Sequence, residues 1–111
     1  MNEKNLIKVL LVEPFDKPKI ITIENNYQAI SEIICGDVDE YMPFEDDVAL
    51  LCNADGKILS LSASHTVTDI ETGKTELIYG SFILVGASRF DTEYHSLDDD
   101  LLEKYMDLFS K

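Results

Sequence analysis

Residues 41–56 read Tyr-Met-Pro-Phe-Glu-Asp-Asp-Val-Ala-Leu-Leu-Cys-Asn-Ala-Asp-Gly. Val48 to Cys52 is an unbroken apolar run between turn signals, the pattern of a strand buried on both faces. Asn53-Ala54-Asp55-Gly56 follows it. Glycine at the fourth place accepts a positive φ, and Asn or Asp bonds its own backbone, so the tetrapeptide reads as a hairpin turn with a bulge. Lys57 to Leu61 is then the expected return strand. Upstream, Pro43 holds Met42 extended and cannot donate to a ladder. Glu45, Asp46 and Asp47 stand at the strand entrance, where their charges stay in water or meet a cation.

On the N-terminal side, Leu6 to Glu13 is rich in aliphatic and β-branched residues and ends at Pro14, giving a first strand. Phe15 to Pro18 is a turn, and Lys19 to Glu24 is a second strand in hairpin with the first. Asn25, with Gln28 three residues on, fits a capping box. Tyr27, Ile30, Ile33 and Ile34 share one side of a helix over Asn26–Cys35, with Gly36 as its stop. Asp37 to Tyr41 alternates acid and apolar, as a short edge strand with one wet face does.

On the C-terminal side, residues 62–78 read as a polar loop with a short strand over Glu76–Tyr79. Gly80 to Gly86 is apolar enough for the sheet centre, and Phe90 to His95 is a linker. Ser96 and Asp99 form a cap, and Leu97 to Phe109 is helical in period. Leu97, Leu101, Leu102, Tyr105, Met106, Leu108 and Phe109 cover one half of that helix. Asp99, Asp100, Glu103 and Asp107 cover the other. The expected architecture is one α+β domain over residues 1–111, a mixed, mostly antiparallel sheet of about five strands packed against two helices.

Composition limits the function. Apolar residues make up 45% of the 111, which argues against wholesale disorder. No apolar run is long enough for a membrane helix, and the N-terminus lacks the basic and apolar regions of a signal peptide, so a cytoplasmic protein is expected. Cys35 and Cys52 are the only cysteines and are read as reduced thiols. There are 22 acids and nine bases, a net charge of −13. Residues 1–20 carry +1, so the remaining residues carry −14. Such a field disfavours DNA, RNA and anionic membranes as direct ligands and favours basic partners.

The runs Lys8-Val-Leu-Leu-Val-Glu-Pro14, Tyr41 to Lys57 and Tyr79-Gly-Ser-Phe-Ile-Leu-Val-Gly86 occur in the order seen in one family, and between Lys8 and Gly86 the chain resembles it. Its members are small bacterial proteins, common on phages and conjugative elements, catalogued only as a domain of unknown function. The resemblance implies a mobile-element context and supplies no chemistry. That family's Asn-Arg pair after the second hairpin strand is here replaced by Ser62-Ala63-Ser64-His65.

The residues offer little for catalysis. His65, His95, Asp69 and Glu93 lack metal-ligand spacing, so no metal or cofactor is expected. Ser64 and His65 are adjacent in sequence, a poor arrangement for nucleophile and base, and no nucleophile elbow is present. A non-enzymatic role is expected. Asp37, Asp39, Glu40, Glu45, Asp46 and Asp47 form one acid cluster, and Asp99, Asp100, Glu103 and Asp107 form another. Together they are the expected docking surface for a basic protein. In a mobile-element context that partner is a nucleic-acid-binding host enzyme, such as a CRISPR or restriction nuclease, inhibited by nucleic-acid mimicry. The alternative is an anion or nucleotide sensor with a pocket near residues 62–78, using Ser64, His65, Thr66 and Arg89. A homodimer through an edge strand stays open.

Overall fold

The computed structural model describes residues 5–88, 90 and 93–110. Strands β1 (Leu6–Val12) and β2 (Lys19–Glu24) form the expected antiparallel hairpin. Helix α1 (Tyr27–Ile34) then carries the chain to the opposite edge, where β3 (Val38–Tyr41) pairs with β4 (Val48–Asn53). A separate hairpin follows, β5 (Ala63–Thr68) with β6 (Thr75–Tyr79). The chain returns as β7 (Phe82–Ala87), adds the two-residue β8 (Tyr94–His95) and ends in α2 (Asp99–Phe109). The main sheet has the order β2-β1-β7-β4-β3, with β8 also paired to β7. Every strand pairing among the described residues is antiparallel, and the fold is α+β.

All six residues of β4 and all six of β7 are buried, as the apolar runs Val48–Cys52 and Phe82–Ala87 require, and Asn53 is buried with them. Alternation divides the core into two layers. Leu10, Val12, Val48, Leu50, Cys52, Phe82 and Leu84 face one side. They are covered by Leu102, Tyr105 and Phe109 of α2 and by Val67 and Ile78 of the hairpin. Ile7, Val9, Ala49, Leu51, Ile83 and Val85 face the other side, under Ile30 and Ile34 of α1. Phe44, at the sheet edge, packs its ring 4.8 Å from Tyr105 and 6.4 Å from Phe109.

The return strand expected at Lys57–Leu61 does not form. Residues 54–60 coil through successive turns, with Leu59 N–H donating to Asp55 and Leu61 N–H to Gly56. The reason is topological: β4 already has β3 on one edge and β7 on the other, so no ladder remains for a third strand. Asn53 serves two ends instead. Its Oδ1 accepts from Asp55 N–H at 2.8 Å, making a local turn. Its Nδ2 donates to the carbonyls of Ile34 (3.1 Å) and Cys35 (3.0 Å), which α1 leaves unpaired. Gly36 makes this approach possible, since a Cβ there would lie 2.6 Å from that nitrogen. The left-handed residue that ends α1 is Cys35 (φ 64°), and Gly36 is kept by lack of space.

Both helix caps lie one or two residues from the expected positions. Asn26, not Asn25, caps α1, accepting from Ala29 N–H. Asn25 instead donates to the Tyr94 carbonyl. Asp98 caps α2 through Leu101 N–H, and Ser96 accepts from Lys8 N–H at 2.8 Å. Residues 63–68, expected as loop, form β5, where Val67 alone is buried and the hydroxyls of Thr68 and Thr75 bond across the pair. The expected linker contains β8. Below Leu10–Leu84 the strands β1 and β7 part, and Tyr94 to Leu97 enter the gap. Gly86 permits this entry, since a Cβ there would sit 2.8 Å from the Ser96 carbonyl.

Asn53→Ala is expected to destabilise the protein by about 1–3 kcal/mol in urea denaturation, because two carbonyls lose their donor. Asn53→Asp keeps the turn acceptor but not the donor and should cost a similar amount. A neutral Asn53→Asp would show that only the turn matters.

Candidate functional site

The fold disperses the first acid cluster and ties most of it to tyrosines. Along β3 alternate residues face opposite sides, so Val38 and Glu40 lie on the α1 side while Asp39 and Tyr41 lie on the hairpin side. Tyr27 Oη donates to Asp37 (3.2 Å), Tyr41 to Asp39 (2.9 Å), Tyr94 to Glu40 (2.6 Å) and Tyr105 to Asp46 (2.7 Å). Burial first, and then the partner carboxylate, holds the hydroxyls of Tyr41, Tyr94 and Tyr105 well above the usual tyrosine range. These phenols therefore stay protonated as donors. Only Asp39–Tyr41, at strand spacing i, i+2, has a signal in the sequence. The other three pairs span 10 to 59 residues.

The structure brings Glu45 and Asp46 to the second cluster. Lys104 on α2 donates to Asp46 at 2.6 Å and to Glu45 at 3.2 Å, and its ammonium lies 5.5 Å from the Tyr105 ring centre. The bonds from Lys104 and then Tyr105 hold the Asp46 carboxyl below its ordinary pKa. Those from Asp46 and then Glu45 raise Lys104. Asp99, Asp100, Glu103 and Asp107 are all exposed along α2, as is Asp47 beside the clamp. Asp100, Glu103, Lys104 and Asp107 border one shallow depression. Glu45 to Asp47 and the outer face of α2 thus make one acidic surface, whereas Asp37, Asp39 and Glu40 belong to the β3 edge.

Of the residues named for a ligand pocket, Ser64 and His65 border one open depression beside Asp16, Lys17 and Phe109, and Thr66 does not join them. Thr66 is exposed, paired with the exposed Leu77 on the outer side of the hairpin. His65 turns inward, its ring edge-on to Phe82 (6.4 Å) and Phe109 (5.2 Å). Ser64 Oγ is buried and has no hydrogen-bond partner among the described residues. Arg89 lies outside the described residues. A cavity of about 270 Å³ does draw on the expected stretch 62–78, through Val67, Asp69, Thr72, Lys74, Glu76 and Ile78 but none of the named residues, and lies between the hairpin and the β3–β4 end of the sheet. Leu50, Val67 and Ile78 form its floor, with Met42 and Pro43 beside them. Tyr41, Asp69, Thr72, Lys74 and Glu76 form its rim. Sequence reasoning missed this set because it places Glu76 in a short strand without assigning it a face. The register pairs Glu76 with buried Val67 and sets it two residues from buried Ile78, so its carboxylate is on the core-facing side.

Both cysteines are free, Cys35 exposed and Cys52 buried. Burial first, and then the charges of Asp39 and Glu76, pushes the Cys52 thiol up to about 12. Among the described residues, no group of three or more His, Cys, Asp or Glu is placed to hold a metal ion, and no helix is long and apolar enough to cross a membrane.

The class is thereby defined as a three-layer α+β domain with an acidic face and a small amphipathic cavity. Residues 7–110 match the family described as a domain of unknown function, DUF3846, and the chain belongs to that family. No curated protein and no solved structure matches it.

A folded-state carboxyl pKa below the unfolded value near 3.9 stabilises the fold above that pH and ceases to do so as pH falls through the lower value. Asp46→Asn is therefore expected to lower the thermal midpoint at pH 7, with the gap from wild type closing as the pH falls through the lowered Asp46 value. A gap independent of pH would remove the charge contribution. Thiol titration with an aromatic disulfide at pH 8 should modify Cys35 rapidly in the native protein, and Cys52 only in denaturant. Fast native reaction at both would contradict the burial of Cys52.

Proposed function

We propose that the protein is a non-enzymatic docking module, binding a basic, nucleic-acid-binding protein through the surface formed by α2 and Glu45–Asp47. The observation that carries this reading is a helix face that works against its own helix. Asp99 with Glu103, and Glu103 with Asp107, are like-charged pairs four residues apart, each unfavourable by about 0.2–0.5 kcal/mol. Asp107 also stands near the C-terminal end, where the helix dipole disfavours an anion and no base offsets it. Lys104, the one base of α2, is drawn away onto Glu45 and Asp46. Solubility alone is served by acids at any exposed position and does not call for this spacing. Carboxylates repeating at each helical turn can stand where phosphates stand in a basic groove, and each contact releases counterions as phosphate binding does. The groove of a host defence nuclease, of CRISPR or restriction type, is the kind of surface this arrangement fits.

The test compares wild type with a Glu103→Gln, Asp107→Asn double variant as bait for such nucleases, at rising salt. These changes remove two like-charge pairs, so the variant should fold at least as well as wild type. Binding by wild type that falls with salt, and falls at least tenfold in the variant, is expected. A partner held equally by both, or indifferent to salt, would overturn the reading.

A further inference from the structure

We propose that the cavity between the β5–β6 hairpin and the β3–β4 end of the sheet is a binding site for a small organic cation, an ammonium group carried on an apolar body about the size of one aromatic ring. The volume, about 270 Å³, lies just below the range of drug-sized pockets and suits such a fragment. The floor is apolar, made by the buried side chains of Leu50, Val67 and Ile78. An apolar body placed there leaves water for an apolar surface.

The charge of the ligand follows from Glu76. A strand that packs one face on a core normally carries apolar residues at alternate positions, and β6 has Ile78 at one of them and Glu76 at the next. No ion-pair or hydrogen-bond partner is assigned to the Glu76 carboxylate among the described residues. Tyr41, on the facing wall, lines the same space, and its hydroxyl is committed to Asp39. An aromatic side chain beside carboxylates favours an ammonium over an anion. Asp69 adds a second carboxylate to the rim, though one of its oxygens already accepts from Glu71 and Thr72 N–H. Lys74 is the single opposing charge on the rim. The field of Asp39 and Glu76 is also felt at Tyr41 in this wall and at buried Cys52, whose protonated forms it favours after burial itself. This site is separate from the acidic face of α2, so either proposal can fail without the other.

The test is a titration of the full chain, followed by amide resonances in two-dimensional NMR, with 2-phenylethylamine and with 3-phenylpropionate as its anionic counterpart. The amine should shift the resonances of Leu50, Val67 and Ile78 and saturate in the low-millimolar range. The anion should give no saturable shift. Glu76→Gln should weaken amine binding about fivefold, the effect of one unit charge at contact distance in water, and Lys74→Gln should tighten it by a similar factor. Both residues are exposed, and overlay of the remaining resonances checks that the variants fold. Equal binding of amine and anion, no saturable shift, or amine binding indifferent to both substitutions would overturn the proposal.

Discussion

Two strands with apolar side chains on both faces impose the main constraint on this molecule. β4 and β7 lie side by side at the sheet centre, and every one of their residues is buried. Both faces of the sheet must therefore be covered, and a chain of 111 residues has few elements to do it. One face receives α1, whose eight residues suffice because Ile30 and Ile34 are backed by the partly buried Ile33, Val38 and Met42. The other face needs more and receives two covers, α2 over Leu10, Val12 and Phe82, and the β5–β6 hairpin over Leu50 and Cys52. The cavity lies along the hairpin's contact with the sheet, where a small two-stranded element incompletely fills the space.

The same arrangement explains the dual use of acids. Asp37, Asp39, Glu40, Glu45 and Asp46 are held by phenols or by Lys104. Asp46 is the clearest case, since Tyr105 from the buried side of α2 and Lys104 from its rim both reach it. Asp99, Asp100, Glu103 and Asp107 lie on the outer side of that helix and are exposed. Net charge alone does not separate the two populations. The distinction emerges only when the partners are placed, and it shifts the functional weight from the β3 edge to α2 and the Glu45–Asp47 loop.

What the sequence reveals follows from how local the deciding signal is. The runs Val48–Cys52 and Gly80–Gly86 declare themselves as central strands because burial on both faces leaves no polar position to dilute them. α2 is equally plain, since its apolar and acidic halves separate over three turns. Asn53-Ala-Asp-Gly is misleading for the opposite reason: locally it suits a hairpin, and only the occupation of both edges of β4 forbids one. β5 is obscured because a single buried valine among Ser, His and Thr gives almost no alternation to read. Asn25 and Asn26 are chemically identical, and the one that caps is decided by which carbonyl the other can reach. The cavity draws its walls from residues 41–43, 50, 67–69 and 72–78. No spacing rule joins those segments before the hairpin has folded over the sheet.

The parting of β1 and β7 has a consequence for how the domain forms. Lys8 finds its hydrogen-bond partners at Ser96 and Leu97, a separation of 88 residues for the first of these. The earliest strand is thus finished by one of the latest segments, and the intervening chain must be closed into a single large loop before that strand is complete. Such long-range closure slows folding relative to local hairpin formation. It also makes the unit indivisible: a fragment ending before residue 94 would carry a sheet with an open slot at its centre, flanked by backbone groups with nothing to bind.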